Sequence, residues 1–215
     1  MCLLLIEDDH FSLLAQSPYH SIIGPDQHRW ALVRSVSKFL GPDLRLAFVA
    51  SDPATAQRLG LRLAPGGTWV SHILQRAAHR MVIDADTADL LDRAAAHYAE
   101  RNRAFRKLLG ARGIDGWLAD GLNVWVDTGA DASEVSTGLM RRGWLVRTGD
   151  TFRLDSGADA THLRLTVHTL DDAALDRLAT DLADAIADAR MRDPATRTTG
   201  RSAIARRIIA NGPSE

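Results

Sequence analysis

Short apolar runs that stop on charged or turn-forming residues, separated by stretches with helical spacing, confine this 215-residue chain to the α/β class. Leu3-Leu4-Leu5-Ile6 stops on Glu7-Asp8-Asp9, and Trp30-Ala31-Leu32-Val33 reaches its end near Ser35-Val36-Ser37-Lys38. Continuous runs of this kind read as strands of a parallel sheet, buried on both faces. Gly41-Pro42-Asp43 turns the chain, and residues 44–50 read as a third strand.

Helical spacing follows. After the loop Ala64-Pro65-Gly66-Gly67-Thr68, a helix is predicted over 71–81. A longer one is predicted over 86–111, with Leu91, Ala95, Tyr98, Phe105 and Leu109 along one face. Beyond Gly113 the elements shorten: strands over 122–126, 144–147 and 163–167, and a helix over 132–142 stopped by Gly143. A final helix carries Leu175, Leu178, Leu182 and Ile186. The expected organisation is therefore a first domain over 1–85, a connecting helix over 86–112 and a small α/β domain over 113–189. A basic, disordered tail is expected over 190–215.

Composition narrows the function. A net charge of −1 gives no bulk attraction to nucleic acid or anionic membranes. The single cysteine, Cys2, excludes an internal disulfide and fits a reducing cytoplasm. The six apolar residues that open the chain are too few for a membrane span. His72 and His79 share a helix face, but neither HExxH nor CxxC occurs, so no metal site is expected.

The chain writes arginine almost everywhere it needs a cation: 24 arginines against two lysines, Lys38 and Lys107. A lysine can lose its proton and attack a carbonyl to form a Schiff base, whereas an arginine stays protonated. Lys38 and Asp8 both end apolar strands, and the carboxyl ends of strands line the ligand crevice of an open α/β sheet. On residue type alone, Lys38 could equally be a loop lysine and Asp8 a helix cap or solvated strand end.

The neighbours of Lys38 decide between these readings. Ser35-Val36-Ser37-Lys38, a short loop, then Pro42-Asp43-Leu44-Arg45 resemble the Ser/Thr-x-Ser-Lys and Pro-x-Leu-Arg signature of class I/II aminotransferases. These are the pyridoxal-phosphate enzymes of fold type I, and the likeness is greatest to the C-terminal aminotransferase-like domain of MocR-type GntR-family regulators. Upstream, Ile6-Glu7-Asp8-Asp9-His10 is similar to the Glu-Asp-Asp-Tyr segment of that family. Downstream, Leu163-Arg164-Leu165-Thr166 is similar to its carboxylate-binding strand. The resemblance spans residues 3–189.

It implies a partial fold type I α/β architecture, with part of the parallel-sheet large domain over 1–85 and the small domain after the connecting helix. It also implies pyridoxal 5′-phosphate as cofactor, held by Lys38 as a Schiff base. Asp8 would keep the pyridine nitrogen protonated, and Ser35 and Arg45 would bind the phosphate. Arg164 would grip the α-carboxylate of an amino acid or 2-oxo acid. Asp9 is a weaker substitute for Asp8, since adjacent strand residues face opposite ways. His10 stands where the family carries a tyrosine that bonds the cofactor's ring oxygen; a histidine can donate a similar bond but brings its own titration.

The implied activity is amino-group transfer. The alternatives are an effector-sensing domain of a transcription regulator and an inactive truncated remnant. Met1 lies almost directly on the Asp8 strand, so a C-terminal half without a helix-turn-helix DNA-binding domain is expected. A homodimer is implied, with Gly66-Gly67-Thr68 as a candidate to reach the neighbouring subunit's phosphate or, otherwise, as an ordinary surface loop.

Overall fold

The computed structural model describes residues 3–64, 69–117, 120–154 and 161–192. The Gly66-Gly67-Thr68 loop and the tail from 193 onward lie outside the described residues. The chain divides into two compact units, Met1–Ala99 and Glu100–Glu215, and the boundary falls inside one long helix.

The first unit holds strands β1 (Leu5–Asp9), β2 (Trp30–Ser35) and β3 (Ala47–Ser51), helices α1 (Pro53–Leu63) and α2 (His72–Val82), and the start of α3 (Ala85–Gly110). β1 and β2 are parallel neighbours, with Asp8 opposite Val33 and Asp9 opposite Arg34. β3 adds antiparallel to β2, so the sheet is mixed, and it begins at Ala47 rather than at 44. Residues 42–44 are spent on a 3-10 turn opened by Pro42. α1 had no counterpart in the sequence reading. It starts on Asp52, whose carboxylate accepts from the Ala54 and Thr55 amides at 3.0 Å each, with Pro53 in the first turn. The same carboxylate accepts from the Trp30 amide at 2.9 Å, tying the helix start to β2.

The two faces of this sheet differ. Glu7 and Asp9 point to the side that carries Leu32 and Arg34, and both acids are buried. Glu7 accepts from the Tyr19 hydroxyl, the Ser21 hydroxyl at 2.9 Å and the Ile22 and Ile23 amides. Asp9 accepts from the Ser12 hydroxyl and amide and from Arg34 Nε at 2.6 Å. Buried carboxylates need such partners, and here they pin the segment between β1 and β2 to the sheet. On the opposite side Ile6 is 60% exposed and Val49 is also open. The expectation that β1 is buried on both faces is thus corrected: Ile6 is left open, although its neighbour Ala31 on the same side is buried.

The Tyr19–Glu7 bond lifts the Tyr19 hydroxyl from 10.0 to about 12. The phenol is more acidic unfolded than folded, so its contribution to stability is complete below pH 10 and is lost as pH rises through 12. Urea midpoints of the native chain should therefore fall between pH 10 and 12. In Tyr19→Phe that step should shrink, and an unchanged step would show that the bond does not form.

The second unit carries β4 (Gly116–Trp117), β5 (Val124–Asp127), β6 (Arg147–Thr148) and β7 (His162–Leu165) in the order β4-β5-β7-β6, all antiparallel. α4 (Ala132–Arg141) and α5 (Asp172–Arg192) pack on one face, together with Phe105 and Leu109 from the end of α3. Val124, Val126, Leu163 and Leu165 point into this core, and Val135, Leu139, Leu178 and Leu182 meet them. Alternation along the strands therefore sends Trp125 and Arg164 to the other face. Gly138 lets α4 and α5 close up, since a Cβ there would sit 3.1 Å from the Ala185 Cβ. Asp131 caps α4 by accepting from the Ser133 and Glu134 amides, and Gly143 ends the segment at φ 90°. Among the described residues no helix is long and apolar enough to cross a membrane.

Candidate functional site

Asp8 lies on the open face of the first sheet, 63% exposed at its side chain. Its register partner is Val33, and Ser35 stands two residues further along β2, so Asp8 and Ser35 share that face. Neighbouring strands run about 4.8 Å apart, which brings the two within the span of one small ring system. His10, just beyond β1, places Nε2 3.1 Å from the Asp8 carboxylate. Asp9 faces the other way and is occupied by Ser12, Phe11 and Arg34.

Lys38 sits in the turn that follows β2, closed by the Leu40 amide donating to the Val36 carbonyl at 2.9 Å. Val36 is fully buried and anchors this turn, while the Lys38 side chain is exposed. The Ser35 hydroxyl accepts from the Ser37 amide at 3.3 Å, so the Ser-x-Ser spacing shapes the approach to the lysine. Arg45 follows the 3-10 turn at φ 46°, ψ 42°, and among the described residues it is the non-glycine residue held at positive φ. Left-handed backbone costs an arginine about 1 kcal/mol and clusters at ligand sites.

Arg164 belongs to the second unit. Leu163 and Leu165 on either side of it are buried, so its guanidinium stands on the outer face of that sheet. Its Cζ lies 4.3 Å from the centre of the Phe152 ring, and Phe152 meets Trp125 edge-on at 5.5 Å. The aromatic surroundings of Arg164 went unread in the sequence. Their only signal was strand alternation, which puts Trp125 and Arg164 on polar-facing positions.

As a donor set, the first-unit residues suit a phosphorylated pyridine aldehyde. Asp8 offers a carboxylate for a ring N–H, Lys38 an amine for an aldehyde, and Ser35 and Arg45 a hydroxyl and a guanidinium for a phosphate. The face that carries Asp8 and Ser35 is open to receive a flat ring.

No family model matches the chain. It is 40% identical over 183 residues to the vitamin B6 salvage pathway transcriptional repressor PtsJ of Salmonella typhimurium, an alignment covering 85% of this chain and 42% of the repressor. The α-aminoadipate aminotransferase LysN of Thermus thermophilus superposes with a TM-score of 0.73 at 21% identity, over 86% of this chain and 50% of its own. The multiple substrate aminotransferase of Thermococcus profundus gives 0.77 at 19% identity, over 88% and 49%. A kynurenine aminotransferase of Pyrococcus horikoshii, solved with PMP, gives 0.73 at 18%. The chain spans about half the length of these proteins, or less.

The chain is thus a homologue of a transcriptional repressor, matching less than half of its length, and it carries part of the fold seen in these aminotransferases.

Proposed function

We propose that this chain is a pyridoxal-phosphate-binding, aminotransferase-like domain that takes up an amino acid or 2-oxo acid in the cytoplasm, with residues 1–85 holding the cofactor and 113–189 the acid. The observation that carries the reading is the placement of Asp8 and Ser35 on one open face of a parallel strand pair, with Lys38 in the turn at its carboxyl end.

Bound pyridoxal phosphate supplies an aldehyde that captures amines and a ring that draws electrons from the carbon beside the captured nitrogen. In the proposed site Asp8 holds a proton on the ring nitrogen by opposing it with a fixed negative charge. Ser35 and Arg45 grip the phosphate. Lys38 provides the attaching amine at Nζ and, once displaced, is placed to lift and return a proton. His10 stabilises Asp8 and donates toward the ring oxygen. Arg164 orients the incoming carboxylate. Ile6 and Val49 are exposed on the same face as Asp8, and a second copy of the chain meeting them beside the cofactor makes the proposed working form a homodimer.

Two outcomes of binding are distinguishable. Identity to a repressor favours a sensor that captures its ligand and signals without turnover; the fold favours amino-group transfer. Mixing the cofactor-loaded chain with an amino acid and a 2-oxo acid and following product by chromatography separates them. Sustained product, many per chain, establishes transfer. A single stoichiometric spectral change without product establishes sensing.

Arg45 supplies a prediction of two opposite signs. Arg45→Gly relieves the left-handed backbone and should raise stability by about 0.5–1 kcal/mol in urea unfolding. The same variant should weaken pyridoxal phosphate binding about tenfold, since a charge-assisted phosphate contact is lost. Loss of stability with affinity unchanged would show that the conformation serves the fold.

A further inference from the structure

The outer face of the second sheet carries one straight row of side chains across all four strands. Trp117 on β4 pairs with Trp125 on β5, Trp125 with Arg164 on β7, and Arg164 with Arg147 on β6. Directly paired strand residues share a face with Cβ atoms about 5 Å apart, so the row reads Trp–Trp–Arg–Arg. Like charges directly opposite each other destabilise a sheet. Among the described residues neither Arg147 nor Arg164 has a carboxylate partner to offset this.

The aromatic half is equally unsatisfied: Trp117 is 77% exposed. Phe152 closes the row from above, stacked under the Arg164 guanidinium and edge-on to Trp125. A hollow of about 640 Å³ opens beside Trp117 and Trp125, lined also by Arg106, His162 and the acids Asp115 and Asp127.

We propose that this row is a specificity platform for an organic acid whose carboxylate is carried next to a planar aromatic group. The carboxylate lies between Arg164 and Arg147, where one anion relieves the repulsion of both cations. The ring lies along Trp125 and Trp117, which offer flat apolar area at little cost in side-chain freedom. Asp115 and Asp127 at the aromatic end repel a carboxylate and so fix the orientation. The inference rests on the proposed role of Arg164 as a carboxylate grip. It adds Arg147 as a second cation and the two tryptophans as the selecting surface.

The test uses the full chain with 15N-labelled indoles and two probes that cannot condense with an amine: 3-phenyllactate, and 2-hydroxyhexanoate as an aliphatic acid of equal charge. Phenyllactate should shift the indole N–H signals of Trp117 and Trp125, assigned by Trp→Phe variants. Trp30, Trp69 and Trp144 should stay in place. The aliphatic acid should bind at least about fivefold more weakly. Arg147→Gln, checked for native melting, should weaken phenyllactate about tenfold, as expected for a lost charge-assisted contact.

Equal affinity for both acids overturns the platform. So does an unmoved Trp117 and Trp125 pair, or an unchanged affinity in a folded Arg147→Gln chain. If the native chain binds phenyllactate but forms no pyridoxal phosphate adduct, the platform stands and the cofactor reading falls; an adduct on the native chain without phenyllactate binding removes the platform alone.

Discussion

Lys38→Arg should leave the chain folded and equally charged, and it should abolish covalent capture of pyridoxal phosphate altogether. The side chain sits exposed in the turn after β2, so a longer cation fits without disturbing Val36 beneath it. What is lost is chemistry: an amine can give up a proton and add to an aldehyde, and a guanidinium cannot. Absorbance of the aldehyde with the variant should match free cofactor, and reduction with borohydride should leave no label on residue 38. Phosphate contacts from Ser35 and Arg45 should persist as weak, dialysable binding. Covalent label retained in this variant would place the attachment elsewhere, with Lys107 as the other lysine.

Leu182→Ala should destabilise the second unit by about 3 kcal/mol, in the range for deleting a fully buried leucine side chain. Leu182 is 0% exposed on the inner face of α5, within the cluster that holds Val126, Leu139 and Leu163. Gly138 against Ala185 already draws α4 and α5 close, which leaves little freedom for the helices to collapse into the gap. Leu145→Ala is the matched control: the same change at a side chain 88% exposed should stay within about 0.5 kcal/mol. Equal effects in urea unfolding would mean that the α4–α5 core is not the one described.

What could be read beforehand was whatever a local pattern determines. The strand ending at Asp8 and the strand leading to Lys38 announce themselves as apolar runs stopped by polar residues, and they pair in parallel as neighbours. Ser71 before α2 and Gly143 after α4 are capping signals, and both helices fall within a residue of the expected bounds. α1 was missed although Asp52-Pro53 is a strong start signal, because the residues after it are dominated by small and polar types.

Other features depend on contacts that no local pattern carries. The direction of β3 is a property of its pairing with β2, and an isolated apolar run does not encode direction. The exposure of Ile6 contradicts its hydrophobicity, since burial requires a covering element and the described residues leave β1 open at this position. The Trp117–Trp125–Arg164–Arg147 row depends on the register of four short strands, which turns residues spread between positions 117 and 164 into neighbours. The buried Glu7 was part of a motif but had no assigned task; its partners Tyr19 and Ser21 lie in the irregular segment between β1 and β2.

The most direct test of the central claim is borohydride reduction of the native chain equilibrated with pyridoxal phosphate, followed by peptide mass mapping. An absorbance band absent from free cofactor is expected, with one reduced adduct per chain and that adduct on Lys38. An adduct spread over Lys107 and the N-terminus, or none at all, would contradict the claim and leave the Ser35–Lys38 motif without a cofactor to hold.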